Sequence, residues 1–260
     1  MQPVNPYIVT TLFGIFQSLH QFVPCGHHVN FKVMVCDDIM LERSYTPVLS
    51  SFLPQENEVD QHNERSLHFA IKTYEAGAVT QHISKLGIGS NILVSDNLGF
   101  FDHNILFNVR NLVIVYAGTG LTPMIKVIKE FFKNSKNKKT KCTLTILSFN
   151  KTEKDIIWKD KLEALEKSYR EGPYISIDVY YILSQEKNER DKRYRYGRIS
   201  SDLLNSILLN SETKSTDPSN LDDMSRYCCI CGPIPFNQDA KRLFEKEFNY
   251  SHDQIYVFEG

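Results

Sequence analysis

Short segments of this chain carry residue types suited to holding phosphate groups. Gly118-Thr119-Gly120-Leu121-Thr122-Pro123 follows a continuous apolar run and precedes residues with helical spacing. Glycines at the mouth of a buried strand let the backbone approach a ligand closely, and the N–H groups that open the next helix favour a pyrophosphate. A plain strand-to-helix turn has the same composition, so this segment alone indicates nucleotide binding only weakly.

The segment Arg43-Ser44-Tyr45-Thr46-Pro47 combines a phosphate-binding side chain with an aromatic ring. Arginine offers a fixed fork of donors to phosphate oxygens, and tyrosine offers a flat face to a conjugated ring. On a strand, Arg43 and Tyr45 share one face, while Thr46 points the other way unless the proline bends the chain. A solvated arginine beside a core tyrosine is the alternative interpretation.

A third segment, Gly77-Ala78-Val79-Thr80, follows a predicted strand that contains Lys72 and Tyr74. A glycine and a threonine at the start of a helix can hold phosphate with N–H groups and a hydroxyl. An ordinary helix N-cap is the alternative.

The fourth segment is Cys228-Cys229-Ile230-Cys231-Gly232-Pro233, in which two cysteines have C-x-x-C spacing. This spacing is compatible with zinc or a redox disulfide, but no second pair with metal-ligand spacing exists in the sequence. A cysteine at the carboxyl end of a parallel strand instead lines a ligand crevice. We therefore predict no metal site.

The hydrophobic pattern predicts two domains that position these segments. Alternating apolar residues in 29–35 and 67–73, separated by a polar loop at 54–65, indicate a small antiparallel β-barrel or sandwich. From about Arg110, apolar strands alternate with helical spacing, which is typical of a doubly wound parallel sheet. The fold prediction is thus an antiparallel β-barrel over 1–108 followed by an α/β domain over 109–260. The predicted parallel strands are 112–116, 142–149, 175–183 and 227–231, and a helix is predicted over 153–169.

Composition excludes some classes of protein and leaves others open. The net charge of -1 argues against nucleic-acid binding, and 42% hydrophobic residues suffice for a packed core. The six cysteines are too few and too clustered to staple a chain of this length, so reduced thiols are expected. The apolar stretch from Ile8 to Phe16 lacks a basic residue before it and is predicted to be a strand, not a signal peptide. We expect a cytoplasmic protein without a membrane span, and association with the endoplasmic reticulum stays open.

The four segments, in this order, resemble the ferredoxin-NADP reductase superfamily. Within it, the residues at 45–48, 118–124, 150–156 and 231–233 are similar to those of the cytochrome b5 reductases. The phrases at 149–153, 155–158 and 229–233 look most like the reductase part of the fused cytochrome b5/b5 reductases. The resemblance extends from about Thr10 to Phe258.

The resemblance implies that FAD and NADH bind to this chain, with NADPH as a further possibility. It places Arg43 on the FAD pyrophosphate, Tyr45 on the isoalloxazine ring, and Thr46 near the ring nitrogen that accepts the hydride. Cys231 would place the nicotinamide against the flavin, so that Thr46 and Cys231 are the predicted catalytic positions. The predicted cofactor-binding residues are Arg43, Tyr45, Thr46, Pro47, Lys72, Tyr74, Gly77, Val79, Thr80, Gly118, Thr119, Gly120, Thr122, Pro123, Cys231, Gly232, Pro233 and Phe258.

The implied activity is hydride uptake from NADH, followed by release of single electrons to a haem acceptor such as cytochrome b5. NADH is preferred in this prediction because Phe149-Asn150 lacks a basic residue for a 2′-phosphate, although Lys151 leaves NADPH open. A basic helix face with Lys126, Lys129 and Lys133 could meet an acidic cytochrome, or could simply be solvated. The alternatives are a flavin reductase with a ferredoxin-like or quinone acceptor, and a non-catalytic remnant that serves as an interaction module.

Two departures from the family pattern concern the ends and extent of the chain. The sequence starts close to the apparent second barrel strand, so we expect one barrel strand to be missing, with weaker retention of FAD. The sequence contains no haem-binding domain and no CS domain. It therefore represents either a stand-alone reductase or part of a longer protein.

Overall fold

The computed structural model describes residues 7–12, 23–36, 39–49, 67–135, 141–169, 174–186, 193–212 and 225–258. The predicted polar loop at 54–65 lies outside the described residues. The same holds for most of the polar stretch at 210–225 and for the middle of the charged loop at 185–195.

The first part of the chain is antiparallel β-structure around its own apolar core. Its strands are β1 (Tyr7–Leu12), β2 (Val29–Cys36), β3 (Ile39–Tyr45), β4 (Leu67–Lys72) and β5 (Leu93–Val94), with one short helix, α1 (Ala78–Ser84). Strand β2 pairs with β3 and β5, and β1 pairs with β4. The alternating Val29, Phe31 and Val33 are buried with Phe69 and Ile71, as the period-2 pattern predicts. Strand β1 confirms the strand predicted near Ile8.

Strand β4 differs from the prediction of a half-buried strand. Its central residues, from His68 to Ile71, are all buried, so both faces are covered. One face packs in the barrel core through Phe69 and Ile71. The strand also contacts the Gly118–Gly120 turn of the second domain, so β4 lies at the boundary between the two parts of the chain.

The second part of the chain is a six-stranded parallel sheet with helices on both faces. Its strands are β6 (Asn111–Ala117), β7 (Cys142–Asn150), β8 (Ile175–Leu183), β9 (Tyr194–Tyr196), β10 (Arg226–Cys231) and β11 (Ile255–Phe258). The sheet order is β11-β10-β6-β7-β8-β9, and every neighbouring pair is parallel. The continuous apolar runs predicted this arrangement correctly, because central parallel strands are covered on both faces. The strand order reverses between β6 and β10, where doubly wound sheets open a ligand crevice.

Four helices cover this sheet, and two separate apolar layers hold them in place. They are α2 (Leu121–Ser135), α3 (Lys159–Tyr169), α4 (Ser201–Glu212) and α5 (Ile234–Glu247). Side chains of α2 and α3 pack on one face, and side chains of α4 and α5 pack on the other. The α2 layer also contains Cys25 and Phe101, so the first domain packs directly against the second. Together these features confirm the predicted fold class.

The predicted helix over 153–169 is wrong in its first turn. Glu153–Asp155 forms a separate 3-10 turn closed by a capping box in which Thr152 and Asp155 bond reciprocally. The chain then extends at Ile156, with ψ 108, and Trp158 has φ +51, so α3 begins only at Lys159. Strands β9 and β11 and helix α4 were not predicted from the sequence.

None of the helices in the described ranges is long and apolar enough to cross a membrane.

Candidate functional site

The glycine turn after β6 leaves open space in front of its first residue. Gly118 has φ +56, a left-handed conformation that favours glycine, and no atom lies within 4 Å of the position that a Cβ would occupy. Gly118–Gly120 forms one 3-10 turn, and α2 starts directly after it without an acidic residue in its first turn. The backbone N–H groups and the positive end of this helix therefore face a place where an anionic ligand can approach.

The same turn lies against the carboxyl end of β10. A Cβ on Gly120 would stand 2.2 Å from the carbonyl oxygen of Cys231, so only glycine allows this approach. Gly232 is similarly enclosed, because its Cβ would meet Phe236 at 2.6 Å and Ala117 at 3.0 Å. The two predicted segments, far apart in the sequence, thus meet at the point where the strand order reverses.

Thr122 and Pro123 support the turn from inside. Thr122 is 8% exposed, and its hydroxyl donates to the carbonyl oxygen of Thr119 at 3.1 Å. Pro123 is buried at the start of α2, where a proline loses no helical hydrogen bond. Both residues shape the turn, while the surface available to a ligand is the backbone of Gly118 and the partly exposed Thr119.

Arg43 and Tyr45 lie on the core-facing side of the barrel. Their cross-strand partners are Phe31 and Val29, both 0% exposed, and residues opposite each other on a strand pair point to the same face. Arg43 is nevertheless exposed, and its guanidinium donates to the carbonyl of Glu42 at 2.7 Å. The Arg43 side chain is therefore accessible to a phosphate-bearing ligand.

Tyr45 is half-buried, with its ring 4.8 Å from that of Phe31. Burial raises the pKa of its hydroxyl to about 12, and the hydroxyl stays neutral at physiological pH. Pro47 is buried, and the N–H of Val48 donates to the carbonyl of His68 at 2.8 Å. This bond fixes the segment beside β4.

The segment after β4 holds its polar groups in local hydrogen bonds. The Thr80 hydroxyl donates to the carbonyl of Gly77 at 3.0 Å and accepts from the N–H of Tyr74 at 3.3 Å. Val79 is 3% exposed in the barrel core, so only its backbone is available to a cofactor. The Tyr74 side chain is 52% exposed and free to cover a flat ligand.

Lys72 is directed across the domain boundary. Its ammonium donates to the Oδ1 atom of Asp155 at 2.8 Å, although the resemblance places Lys72 along the flavin. Asp155 belongs to the family phrase at 150–156, and no role was predicted for it. The T-x-x-D pattern at 152–155 predicts a capping box, which indicates the local turn but not the contact of Asp155 with Lys72.

Phe258 is joined to Cys231 by the register of β11 and β10. Its ring is 4% exposed and lies 5.2 Å from Phe101 and 4.8 Å from Tyr256. The structure thus brings Phe258 to the predicted nicotinamide side of the site. In this position the ring belongs to an aromatic cluster that closes the domain boundary.

The cysteines near the site are buried, neutral thiols. Burial raises the pKa of Cys231 to about 12, and the pKa values of Cys228 and Cys229 lie well above the ordinary value for the same reason. Within the described residues, no group of three His, Cys, Asp or Glu side chains could hold a metal ion.

The donor set of this arrangement fits a flavin dinucleotide. The Arg43 side chain is exposed, Gly118 faces open space, and strand β4 of the barrel contacts the Gly118–Gly120 turn. Arg43, Tyr45, Thr46, Tyr74 and the backbone at 77–80 would hold the flavin, and the turn with Cys231 and Gly232 would hold the nicotinamide dinucleotide. These individual assignments stay predictions.

Comparison with known proteins covers both parts of the chain. The oxidoreductase FAD-binding domain matches residues 12–103, and the oxidoreductase NAD-binding domain matches residues 114–242. Human cytochrome b5 reductase 4 is 33% identical over 241 residues, which are 93% of this chain and 42% of the human protein. NADH-cytochrome b5 reductase 1 of Kluyveromyces lactis is 28% identical over 254 residues, covering 95% of this chain and 79% of that protein.

A solved structure shows the same relationship in three dimensions. The structure of the CS-b5R domains of human Ncb5or, in its NAD+ form, matches with a TM-score of 0.72 and 32% sequence identity. The match covers 91% of this chain and 61% of that one. The chain spans less than half the length, 42%, of the curated cytochrome b5 reductase 4 relative from human. With both domain matches, these relatives and this fold, the chain belongs to the cytochrome b5 reductase family of FAD- and NAD-binding oxidoreductases.

Proposed function

We propose that this chain takes a hydride from NADH onto FAD and passes single electrons to a haem acceptor of the cytochrome b5 type. The observation that carries the proposal is the contact of the Gly118–Gly120 turn with Cys231, at the strand-order reversal and beside β4 of the barrel. The first contact supports a dinucleotide-binding site at the turn, and the proximity of β4 supports a flavin-binding site on the barrel side of it. The names of the relatives support the acceptor class.

The protein's own part in this reaction is binding, orientation and exclusion of water. When bound, FAD accepts the hydride and releases electrons one at a time. Two rings must be held within contact distance for hydride transfer, which the close approach of Gly120 to Cys231 favours. The raised pKa of Cys231, about 12, keeps its thiol neutral at the predicted nicotinamide position.

NADH is the proposed donor because the end of β7 offers little to a 2′-phosphate. Asn150 is 9% exposed, and its side-chain amide donates to the Ser148 hydroxyl at 2.9 Å. Lys151 is exposed and is the nearest basic residue in the sequence. We expect a higher kcat/KM with NADH than with NADPH. If Lys151 serves NADPH, Lys151→Met will lower kcat/KM for NADPH and leave that for NADH unchanged.

The acceptor surface cannot include all of the predicted basic face. Lys126 is half-buried, and its ammonium donates to the carbonyl of Val23 at 2.7 Å, so it joins the two domains. Lys133 pairs with Glu130 at 3.5 Å, and Lys129 is exposed. Steady-state assays with cytochrome b5, a ferredoxin and a soluble quinone separate the acceptor classes. Reduction of quinone alone would refute the haem acceptor.

An absorbance spectrum of the purified protein, followed by anaerobic addition of NADH, tests the cofactor and the hydride transfer together. Flavin bands that bleach with NADH are the expected result. A colourless protein that stays colourless after added FAD would refute the reductase proposal and favour an interaction module. Cytoplasmic location and association with the endoplasmic reticulum stay predictions, which cell fractionation can test.

A further inference from the structure

An ion pair joins the last residue of β4 to the turn that follows β7. The Lys72 ammonium and the Asp155 carboxylate lie 2.8 Å apart, with 19% and 22% of their side chains exposed. The two residues are 83 positions apart in the sequence and belong to different domains. A charged hydrogen bond that is shielded from solvent is stronger and more demanding in its geometry than one on the open surface.

The carboxylate of Asp155 is also held by hydrogen bonds that do not involve Lys72. Its second oxygen, Oδ2, accepts from the backbone N–H of Thr152 at 3.1 Å and from the Thr152 hydroxyl at 2.9 Å. Desolvation raises the pKa of Asp155, but the hydrogen bonds from Lys72 and Thr152 outweigh it and hold the pKa below its ordinary value. Lys72 therefore meets an oriented acceptor on a turn attached to the end of β7.

This pair lies beside the candidate site. Strand β4, which carries Lys72, and strand β7, which precedes the turn of Asp155, both contact the Gly118–Gly120 turn. A change in the position of β4 relative to β7 therefore changes the surroundings of the predicted dinucleotide-binding site at the Gly118–Gly120 turn. Interfaces between domains of one chain permit relative motion unless specific contacts restrict it.

We propose that the Lys72–Asp155 pair is an interdomain clamp, which fixes the barrel against the dinucleotide-binding domain and so sets the distance for hydride transfer. Lys72 and Asp155 are then positioning residues that act through the geometry of the domain boundary. The second part of this proposal rests on the proposed function. The first part concerns the folded chain alone.

The test is a double-mutant cycle with Lys72→Met, Asp155→Asn and the combined variant. In saturating FAD and under anaerobic conditions, we expect each single variant to slow flavin bleaching by NADH at least tenfold, with unchanged FAD affinity. The combined variant should be slowed by less than the product of the two single effects, because the interaction between the two side chains is already lost in each single variant. Lys72→Arg, which keeps the donor, should restore most of the rate.

A second readout does not depend on activity. The urea midpoint of each single variant should fall, because each loses the charged hydrogen bond between the two side chains. The midpoint of the double variant should fall by less than the sum of the two single effects. Lys32→Met is the matched control, since it breaks the more exposed ion pair of Lys32 with Glu42, 3.6 Å apart within the barrel. It should alter neither the midpoint nor the bleaching rate.

The alternative role of Lys72 gives a different pattern. If Lys72 holds the flavin instead, Lys72→Met will weaken FAD binding while Asp155→Asn leaves FAD binding and the bleaching rate unchanged, and the clamp is refuted. Additive effects of the two single changes on the urea midpoint would also overturn it. If the wild-type protein binds no flavin, the proposed function fails, and the urea cycle alone decides whether the clamp exists.

Discussion

Replacing Gly120 by alanine tests the contact that carries the proposed function. The added methyl carbon would stand 2.2 Å from the carbonyl oxygen and 2.8 Å from the carbonyl carbon of Cys231. Both are backbone atoms of the buried strand β10, which pairs with β6 and β11 and cannot rotate away. The turn itself must therefore move.

The size of this movement follows from the contact distance. To bring the methyl carbon from 2.2 Å to an ordinary contact of 3.4 Å, the turn must retreat by about 1 Å. Overpacking of this kind costs about 1–3 kcal/mol. A displacement of about 1 Å in a site that aligns two reactants can lower the rate on the order of 100-fold. We expect Gly120→Ala to lose stability and hydride transfer together.

The assay is stopped-flow bleaching of the flavin by NADH, with urea unfolding measured on the same preparation. Gly87→Ala is the control, because no atom lies within 4 Å of its added carbon, and it should match the wild type in both measurements. Gly118→Ala separates strain from overlap. Its carbon also meets nothing within 4 Å, but its φ of +56 makes alanine about 1–2 kcal/mol less stable.

A Gly120→Ala protein with wild-type stability and a wild-type bleaching rate would refute this reasoning. It would mean that the turn and Cys231 are not in contact in the working protein. Loss of stability with an unchanged rate would keep the contact but remove its role in aligning the two rings.

Three further predictions concern the core, the thiols and the pH dependence. Phe31→Ala should lower the free energy of unfolding by about 3–5 kcal/mol in urea titrations, because Phe31 is 0% exposed and contacts the rings of Tyr45 and Phe69. A loss below about 1 kcal/mol would contradict this packing. Iodoacetamide at pH 8 should leave the buried thiols at 228, 229 and 231 unmodified in the native protein, because burial raises their pKa values; mass spectrometry that finds rapid labelling there would contradict it. The difference in unfolding free energy between wild type and Asp155→Asn should be full at neutral pH and decline only as pH falls below about 4, because a carboxyl group with a lowered pKa stabilises the folded state at pH values above the pKa of the unfolded chain. A difference that vanishes between pH 7 and pH 5 would contradict this assignment.

The sequence predicted the elements of this fold wherever local pattern and burial agree. The run from Leu112 to Tyr116 is apolar throughout because β6 is covered by helices on both faces. The glycines at 118 and 120 indicate the turn for two reasons. The positive φ of Gly118 disfavours a side chain, and the contact of Gly120 with Cys231 leaves no room for one. The order of the four segments was sufficient to identify the family.

The prediction from local pattern failed at one missed capping box and at positions where a distant contact decides the structure. Helical spacing over 153–169 predicted one helix, but the Thr152–Asp155 capping box and the extended backbone at Ile156 interrupt it. Lys126 has the spacing of a solvated basic residue, yet it is half-buried and donates to the carbonyl of Val23 in the first domain. In β4, alternation predicted one solvated face, but all residues from His68 to Ile71 are buried.

The sequence by itself determined the two domains, the glycine turn and the kind of ligand that the chain binds, because each depends on residues that are neighbours in the chain. Only the tertiary structure decided that Gly120 touches Cys231 and that Lys72 pairs with Asp155. These pairs are separated by many residues, so their contact depends on the sheet order and on how the domains pack. No local pattern of residue types contains that information, because the local sequence around a lysine or an aspartate does not show whether the side chain contacts solvent or another domain.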